Sequence, residues 1–355
     1  MRLPGQKKTN YAYATARVQA KRAKLIPQAE YEKILKMDVS EITRYIEDSA
    51  YKADVDELSG RFSGLDLLEA ALTVNEERTF HAVRRLLDGE GGQLLGLWMM
   101  RHLVKDIKTV LRGKQGGAGR EELLKELLLE NLDTYKIFDA LLAEDVKSLD
   151  DVAGALERQG GVAGDWGKVL HSVPADAGLA AYEDALDKAY FSYLVAGLRG
   201  SKQKGADLVL AFVRREIDAR NLQNAARWVA NAQEADFSPY VIPNGRSVKV
   251  ADIVTLSKSD TLAAFRDRLA DLGLPANLSE SLAGAEDTNR LAPFQAALHK
   301  WHLAELDRMG SGAPLSIIPI LLYLTRKDRE VTTLRAVARG KAAGLGEERL
   351  RELIG

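Results

Sequence analysis

An internal repeat of about 113 residues constrains this chain more than any other feature of its sequence. Two separate motifs show it, and each recurs without gaps. The copies of the longer motif begin at Asp106, Asn221 and Thr333, with intervals of 115 and 112 residues. The copies of the shorter motif begin at Glu69, Glu183 and Gln295, with intervals of 114 and 112 residues. Because a long period signals a repeated structural unit, the sequence predicts three copies of one unit.

Three copies of this length fill nearly the whole chain of 355 residues and leave no room for a separate catalytic domain. We therefore expect one helical repeat in each of three domains, at residues 1–115, 116–235 and 236–355. A weaker helix-start pattern has nearly the same period, with a capping residue three positions before an acid. It occurs at Asp38 with Glu41, Ser148 with Asp151, and Ser257 with Asp260. The last copy ends where a fourth would begin, which favours a ring in which the last helix packs beside the first.

The hydrophobic pattern is helical in almost every part of the chain. Apolar residues recur at spacings of three and four, and strict alternation is nearly absent. Asn244 and Gly245 are the exception, because this pair between two apolar stretches is typical of a hairpin turn. The signal stands alone, so we interpret residues 240–250 as a loop that leads into a helix. The sequence predicts an all-α protein.

Composition excludes several classes of protein. The net charge is −1, so bulk charge does not favour nucleic acid or anionic lipid, and the absence of cysteine excludes disulfides and thiolate chemistry. The longest mainly apolar run, residues 313–324, is too short for a membrane span and predicts a buried helix with a proline kink. Residues 1–24 are basic but lack an apolar signal region, which favours a structural helix over a transit peptide.

The longer motif has two faces. Its apolar positions, such as Val104 and Ile107, form a core stripe at helical spacing. The opposite side, which the pattern predicts to be solvated, carries Lys108, Gln223 and Arg335 in the three copies. Near the helix end each copy has an arginine: Arg112, Arg227 and Arg339. A cation there complements the helix dipole, and Gly113 or Gly340 supplies a left-handed cap, so we favour capping, with contact to a partner as the alternative.

No segment carries the pattern of a catalytic or cofactor site. The Gly-Lys pairs at 113 and 340 lack the first glycine and the Ser/Thr of a phosphate-binding loop. His299 and His302 share a helix face without further ligands, so we interpret them as an exposed pair beside a packed Trp301. The acids of copies two and three, Glu216, Asp218, Asp328 and Glu330, correspond to Arg101 and Leu103 in copy one. A threefold active site is therefore not expected, and we predict no catalytic residue, metal or cofactor.

The opening of the chain carries a resemblance to a known family. Tyr11-Ala-Tyr13-Ala-Thr-Ala-Arg17, followed by Leu25-Ile26 and Tyr31-Glu-Lys-Ile-Leu35, resembles the start of the C subunit of archaeal-type and bacterial V-type ATP synthases. This C subunit is the counterpart of the d subunit of eukaryotic V-type ATPases. The three copies of the longer motif also look like the repeated segments of this family. Asp106 and Thr333 stand where the family pattern has asparagine.

The resemblance implies a funnel of three similar helical domains around a pseudo-threefold axis. It also implies a non-catalytic rotor subunit that joins the central shaft to the membrane proteolipid ring, for proton or sodium transport. Such a subunit is peripheral, on the cytoplasmic side of the membrane, with neither nucleic acid nor a small-molecule substrate as a partner. Candidate partner contacts are Lys108, Arg112, Gln223, Arg227, Arg335 and Arg339.

Two other functions stay open at the level of the sequence. An α-solenoid scaffold that binds peptides or proteins is disfavoured, because solenoid repeats usually have about 20–45 residues. An all-α enzyme that uses unrecognised carboxylates has no specific motif in its favour.

Overall fold

A computed structural model describes residues 10–127, 132–174, 177–233, 235–285 and 290–354. Within these ranges all regular structure is helical and no strand occurs, which confirms the all-α prediction. None of the helices in these ranges is long and apolar enough to cross a bilayer.

Eighteen α-helices lie in the described ranges. They are α1 (Tyr11–Arg22), α2 (Tyr31–Ile34), α3 (Val39–Glu47), α4 (Lys52–Leu58), α5 (Gly64–Arg84), α6 (Gly89–Gln115), α7 (Arg120–Leu127), α8 (Leu132–Leu141), α9 (Leu149–Gln159), α10 (Gly161–His171), α11 (Gly178–Gly200), α12 (Ala206–Ala230), α13 (Val250–Ser257), α14 (Leu262–Ala270), α15 (Ala276–Glu280), α16 (Ala292–Gly312), α17 (Ile318–Ala342) and α18 (Glu347–Ile354). Each copy of the repeat contributes several short helices and then one pair of long helices. The long pairs are α5 with α6, α11 with α12, and α16 with α17.

The six long helices close into a ring. The second helix of each pair packs against the first helix of the next pair, so α6 meets α11, α12 meets α16, and α17 returns to α5. We call these contacts the first, second and third seams, in that order. The closure agrees with the ring expected from the repeat. The last helix, α18, reaches the short helices of the first copy, where Arg351 donates to Glu32 at 2.9 Å.

The hydrophobic core is shared between neighbouring copies. Val331 and Leu334 of α17 lie in one cluster with Ile42 and Leu68, which belong to the first copy. Likewise, α12 packs its C-terminal half into a cluster with the short helices α13 and α14. The C-terminal half of a second long helix therefore completes the core of the copy that follows it.

The loops inside the long pairs meet at one end of the ring, around the start of α1. Asn10 donates to the carbonyl of Leu86 at 2.6 Å, and Tyr11 donates to that of Lys204 at 3.1 Å. A Cβ added to Gly205 would lie 3.6 Å from Ile317, so the third loop is also close. We call this the loop end. The described part of the basic N-terminal segment is thus a packed helix, while residues 1–9 lie outside the described residues.

Several local predictions are confirmed. Asp38 with Glu41 and Ser148 with Asp151 both form capping boxes at the starts of α3 and α9. Asn244 has a φ of 75° in the loop that leads into α13, as expected for residues 240–250.

Other local predictions are wrong. Ser257 ends α13 instead of starting a helix, and Thr261 caps α14 by accepting from the Ala264 amide. Residues 313–324 contain no kinked helix, because α17 begins at Ile318 and Pro319 sits in its first turn, where no amide hydrogen is needed.

Gly113 and Gly340 are not left-handed caps. Their helices continue to Gln115 and Ala342, and the positive φ values follow at Gly117 (77°) and Gly344 (72°). A Cβ at Gly113 would overlap Leu123, and one at Gly340 would overlap Leu350. These two glycines therefore allow the next short helix to approach closely.

Candidate functional site

The inner face of the ring carries most of the predicted site residues. On each second helix a stripe with spacings of four, three and four residues places side chains on one face. In α6 the stripe is Arg101, Lys105, Lys108 and Arg112; in α12 it is Glu216, Arg220, Gln223 and Arg227; in α17 it is Asp328, Thr332, Arg335 and Arg339. These stripes face the seams and, towards the loop end, one another.

Copies one and two contact each other directly inside the ring. Arg101 donates to both carboxylate oxygens of Glu216 at 3.0 and 2.9 Å, and its guanidinium lies 3.9 Å from the centre of the Trp98 ring. Burial raises the pKa of Glu216, but Arg101 outweighs it and the net shift is downward. Because α11 lies between α6 and α12 around the ring, this bridge crosses its interior. The arginine that breaks the threefold charge pattern thus binds its own counterpart in copy two.

A second charged group lies at the third seam. Glu76 is 2% exposed, and Lys105 donates to its carboxylate at 3.3 Å. Burial raises the pKa of Glu76 to about 7; Lys105 opposes this shift, and the nearby Asp328 adds to it. The burial of Glu76 thus favours its protonated form more than in an exposed glutamate.

Ion pairs connect the helices of the first seam. Arg112 donates to both oxygens of Glu183 at 2.6 and 2.9 Å. One turn away, Lys108 lies 2.7 Å from Asp187, and its side chain is only 14% exposed. Lys108 is therefore not on a solvated face as the pattern predicted, because the next copy covers it.

The third seam repeats this arrangement with the third and first copies. Arg339 binds both oxygens of Glu69, with Nη2 at 2.7 Å from Oε2. Arg335 donates to the hydroxyl of Thr73 at 2.8 Å. Arg112 and Arg339 thus bind a carboxylate of the following copy, in place of the helix-end carbonyls that capping would use.

The second seam lacks both of these contacts. Gln295 stands where the other seams have glutamate, and no ion pair joins Arg227 to a described residue. One turn away, where the first seam has Lys108 and Asp187, the second seam has Gln223 and His299. Towards the loop end this seam is held differently, since His302 stacks on Phe212 with ring centres 4.8 Å apart.

The histidine pair is not exposed as the sequence suggested. His302 is buried, and His299 is half-buried in the second seam. Burial lowers the pKa of His302 to about 4 and that of His299 to about 3, so both are neutral at pH 7. No cluster of three potential metal ligands occurs in the described part of the chain.

Two acids anchor the entry loop of the following copy, a role that the sequence analysis missed. Asp218 accepts from the amides of Arg246, Ser247 and Val248 at 2.8–3.3 Å. At the equivalent position, Glu330 accepts from the Ile26 amide at 2.6 Å. The sequence shows that Asp218 and Glu330 have the same spacing from the longer motif. It does not show which loop of the following copy each carboxylate binds.

Comparison with known protein families agrees with the ring of long helices that the structure shows. The model of the ATP synthase (C/AC39) subunit family matches residues 14–353. The chain belongs to this family. The match spans all three copies and therefore covers the six long helices and their three seams.

Individual relatives of the chain are similar over most of their length. One, the C subunit of the A-type ATP synthase of Methanosarcina acetivorans, is 31% identical over 98% of this chain and 93% of its own. Another, the C subunit of the A-type ATP synthase of Haloferax volcanii, is 32% identical over 98% of each chain. As a C/AC39 chain, the protein is a subunit of an ATP synthase.

Proposed function

We propose that this chain is the rotor subunit of an A-type ATP synthase, where it joins the central shaft to the membrane proteolipid ring. Family membership and relatives named as the C subunit support the assignment to this complex. The closed ring of long helices is the observation that carries the mechanical role. A closed ring with a shared core resists shear, so torque applied at one end reaches the other.

The proposed mechanism needs no catalytic residue in this chain. The stripes of the second helices would form the wall of a funnel that receives the shaft. The remaining outer surface of the chain would contact the membrane proteolipid ring. Of the six candidate contacts, Gln223 and Arg227 are the proposed contact region, because Lys108, Arg112, Arg335 and Arg339 are held by residues of the neighbouring copy. Seated on the proteolipid ring, the subunit is peripheral on the cytoplasmic side, and proton or sodium flow turns it together with the shaft.

Reconstitution of the complete synthase in vesicles tests this function. Complex assembled without the chain should still hydrolyse ATP in its head, but ATP-driven ion uptake should be lost. Adding back the purified chain should restore uptake, and a tag on it should capture shaft and ring subunits together. Ion uptake at the normal rate without the chain, or capture of neither partner, would contradict the proposal.

A further inference from the structure

The three seams of the ring are equivalent in helix packing but not in charge pairing. At the first and third seams, an arginine near the end of the second helix binds both oxygens of a glutamate on the next copy. At the second seam the arginine is present as Arg227, while the glutamate is replaced by Gln295. The position therefore keeps the cation and lacks the anion.

No other described residue supplies the missing carboxylate to Arg227. Arg227 is exposed and forms no hydrogen bond or ion pair there. Asp184 is near enough to act on it electrostatically, but burial and Arg220 act in the opposite direction and the pKa of the guanidinium is lowered overall. Arg220 itself lies 3.6 Å from Asp187 of the first seam. Arg227 thus carries a positive charge without a bound carboxylate.

Arg227 is also accessible from inside the ring. It lies eleven residues, or about three helical turns, beyond Glu216 on the same face of α12. Glu216 points into the interior, where it meets Arg101. Arg227 is therefore on the inner wall, towards the end opposite to the loop end.

We propose that Arg227 is a docking point for a carboxylate on a helix of the central shaft, which completes the missing bridge of the second seam. The partner's aspartate or glutamate takes the place that Glu183 and Glu69 occupy at the other seams. The guanidinium geometry suits this, because its parallel N–H groups match a carboxylate in a two-point contact. This inference rests on the proposed function, since it takes the shaft as the protein inside the ring.

Two substitutions with different effects on stability test the docking point. Arg227→Gln removes the cation, and Gln295→Glu supplies an internal carboxylate that competes with the partner. Both should weaken binding of the purified shaft subunits about tenfold at 50 mM NaCl, with a smaller difference at 500 mM. Gln295→Glu should also raise the melting temperature, whereas Arg227→Gln should leave it nearly unchanged.

Arg112→Gln is the matched control, because it removes the equivalent arginine from a seam that is already bridged. It should lower the melting temperature and leave the shaft affinity within about twofold. If wild-type chain binds the shaft and Arg227→Gln binds equally well, the docking point is wrong while the proposed function stands. If wild-type chain does not bind the shaft, the proposed function itself fails.

Discussion

At the scale of single residues, Asp106 is an unusual carboxyl. It lies beside Met99, Met100 and Leu103 in a cavity between α5 and α6. Burial raises its pKa to about 7, with Lys105 acting against the shift. A folded-state pKa above the unfolded value means that the folded chain holds the proton more tightly. Stability is therefore lost as the pH rises from about 4 through about 7.

Asp106→Asn should remove this loss. We expect the variant to be more stable than wild type by about 1–2 kcal/mol at pH 8, because no charge must be buried, and by clearly less at pH 5, where only part of the loss has occurred. Urea unfolding at both pH values measures the difference. Asp271→Asn, on the exposed surface, is the matched control. An equal effect of Asp106→Asn at pH 5 and pH 8 would contradict the assignment.

Gly167 is required by close packing between α9 and α10. A Cβ at this position would lie 2.7 Å from the carbonyl oxygen of Ala153 and 2.8 Å from the Cα of Glu157. Both atoms belong to the backbone, so side-chain rotation cannot relieve the overlap. Gly167→Ala should therefore destabilise the fold by about 3 kcal/mol.

Gly154→Ala is the control for this packing, since it changes the same helix pair. Its Cβ would lie at an ordinary distance of 3.4 Å from Arg158. The better helix propensity of alanine should leave stability unchanged or raise it by up to about 1 kcal/mol. Thermal unfolding of the two variants should give shifts of opposite sign or clearly different size.

Residues that face another copy were the hardest to predict. The helical pattern correctly placed Val104 and Ile107 in the core, because their stripe follows the period of one helix. The same pattern placed Lys108 on a solvated face, since nothing in a local sequence shows that Asp187 lies opposite. His302 was misjudged for the same reason, as Phe212 of another helix covers it.

At the scale of elements, the loop before α13 depends on one carboxylate. Asp218 is fully buried and accepts three backbone amides from residues 246–248. Asp218→Ala would leave these amides without their partner, at a cost of about 2–4 kcal/mol. Hydrogen exchange should become faster at 246–248 before other parts of the chain are affected. Asn224→Ala on the same helix should leave exchange in this loop unchanged, and equal acceleration in both variants would count against the anchor.

Two of the three predicted helix starts are confirmed, at Asp38 and Ser148, and the third, at Ser257, is wrong. The capping boxes of α3 and α9 place both the capping residue and the acid within one turn, so a local sequence contains the whole interaction. Gly113 was misread because a helix-ending glycine and a close-packing glycine look alike until Leu123 is placed beside it.

At the scale of the whole molecule, the shared cores predict cooperative unfolding. Leu222→Ala lies in the cluster around α12 and α13, and Leu72→Ala in the cluster of the first and third copies. Each should cost about 2–5 kcal/mol and lower the midpoint of one common transition. Calorimetry of both variants provides the measurement. A transition that splits, with only one part moved by each substitution, would show independent units.

The domain boundaries at 115/116 and 235/236 stay a prediction of the repeat period. The period locates equivalent residues, so it correctly brings Arg112 and Arg339 into equivalent positions at two seams. It cannot show which copy supplies the other half of a core. Val331 belongs to the third copy in sequence and packs with the first copy in space.

The sharing of cores has a consequence for a single repeat made as a separate polypeptide. One such unit would expose two half-cores, one on its short helices and one on the end of its second long helix. Each half-core is complementary to the other but cannot reach it within the same unit. Separate units would satisfy both surfaces by head-to-tail assembly with closed symmetry. In the present chain, the covalent connection between the copies holds these surfaces together in one ring.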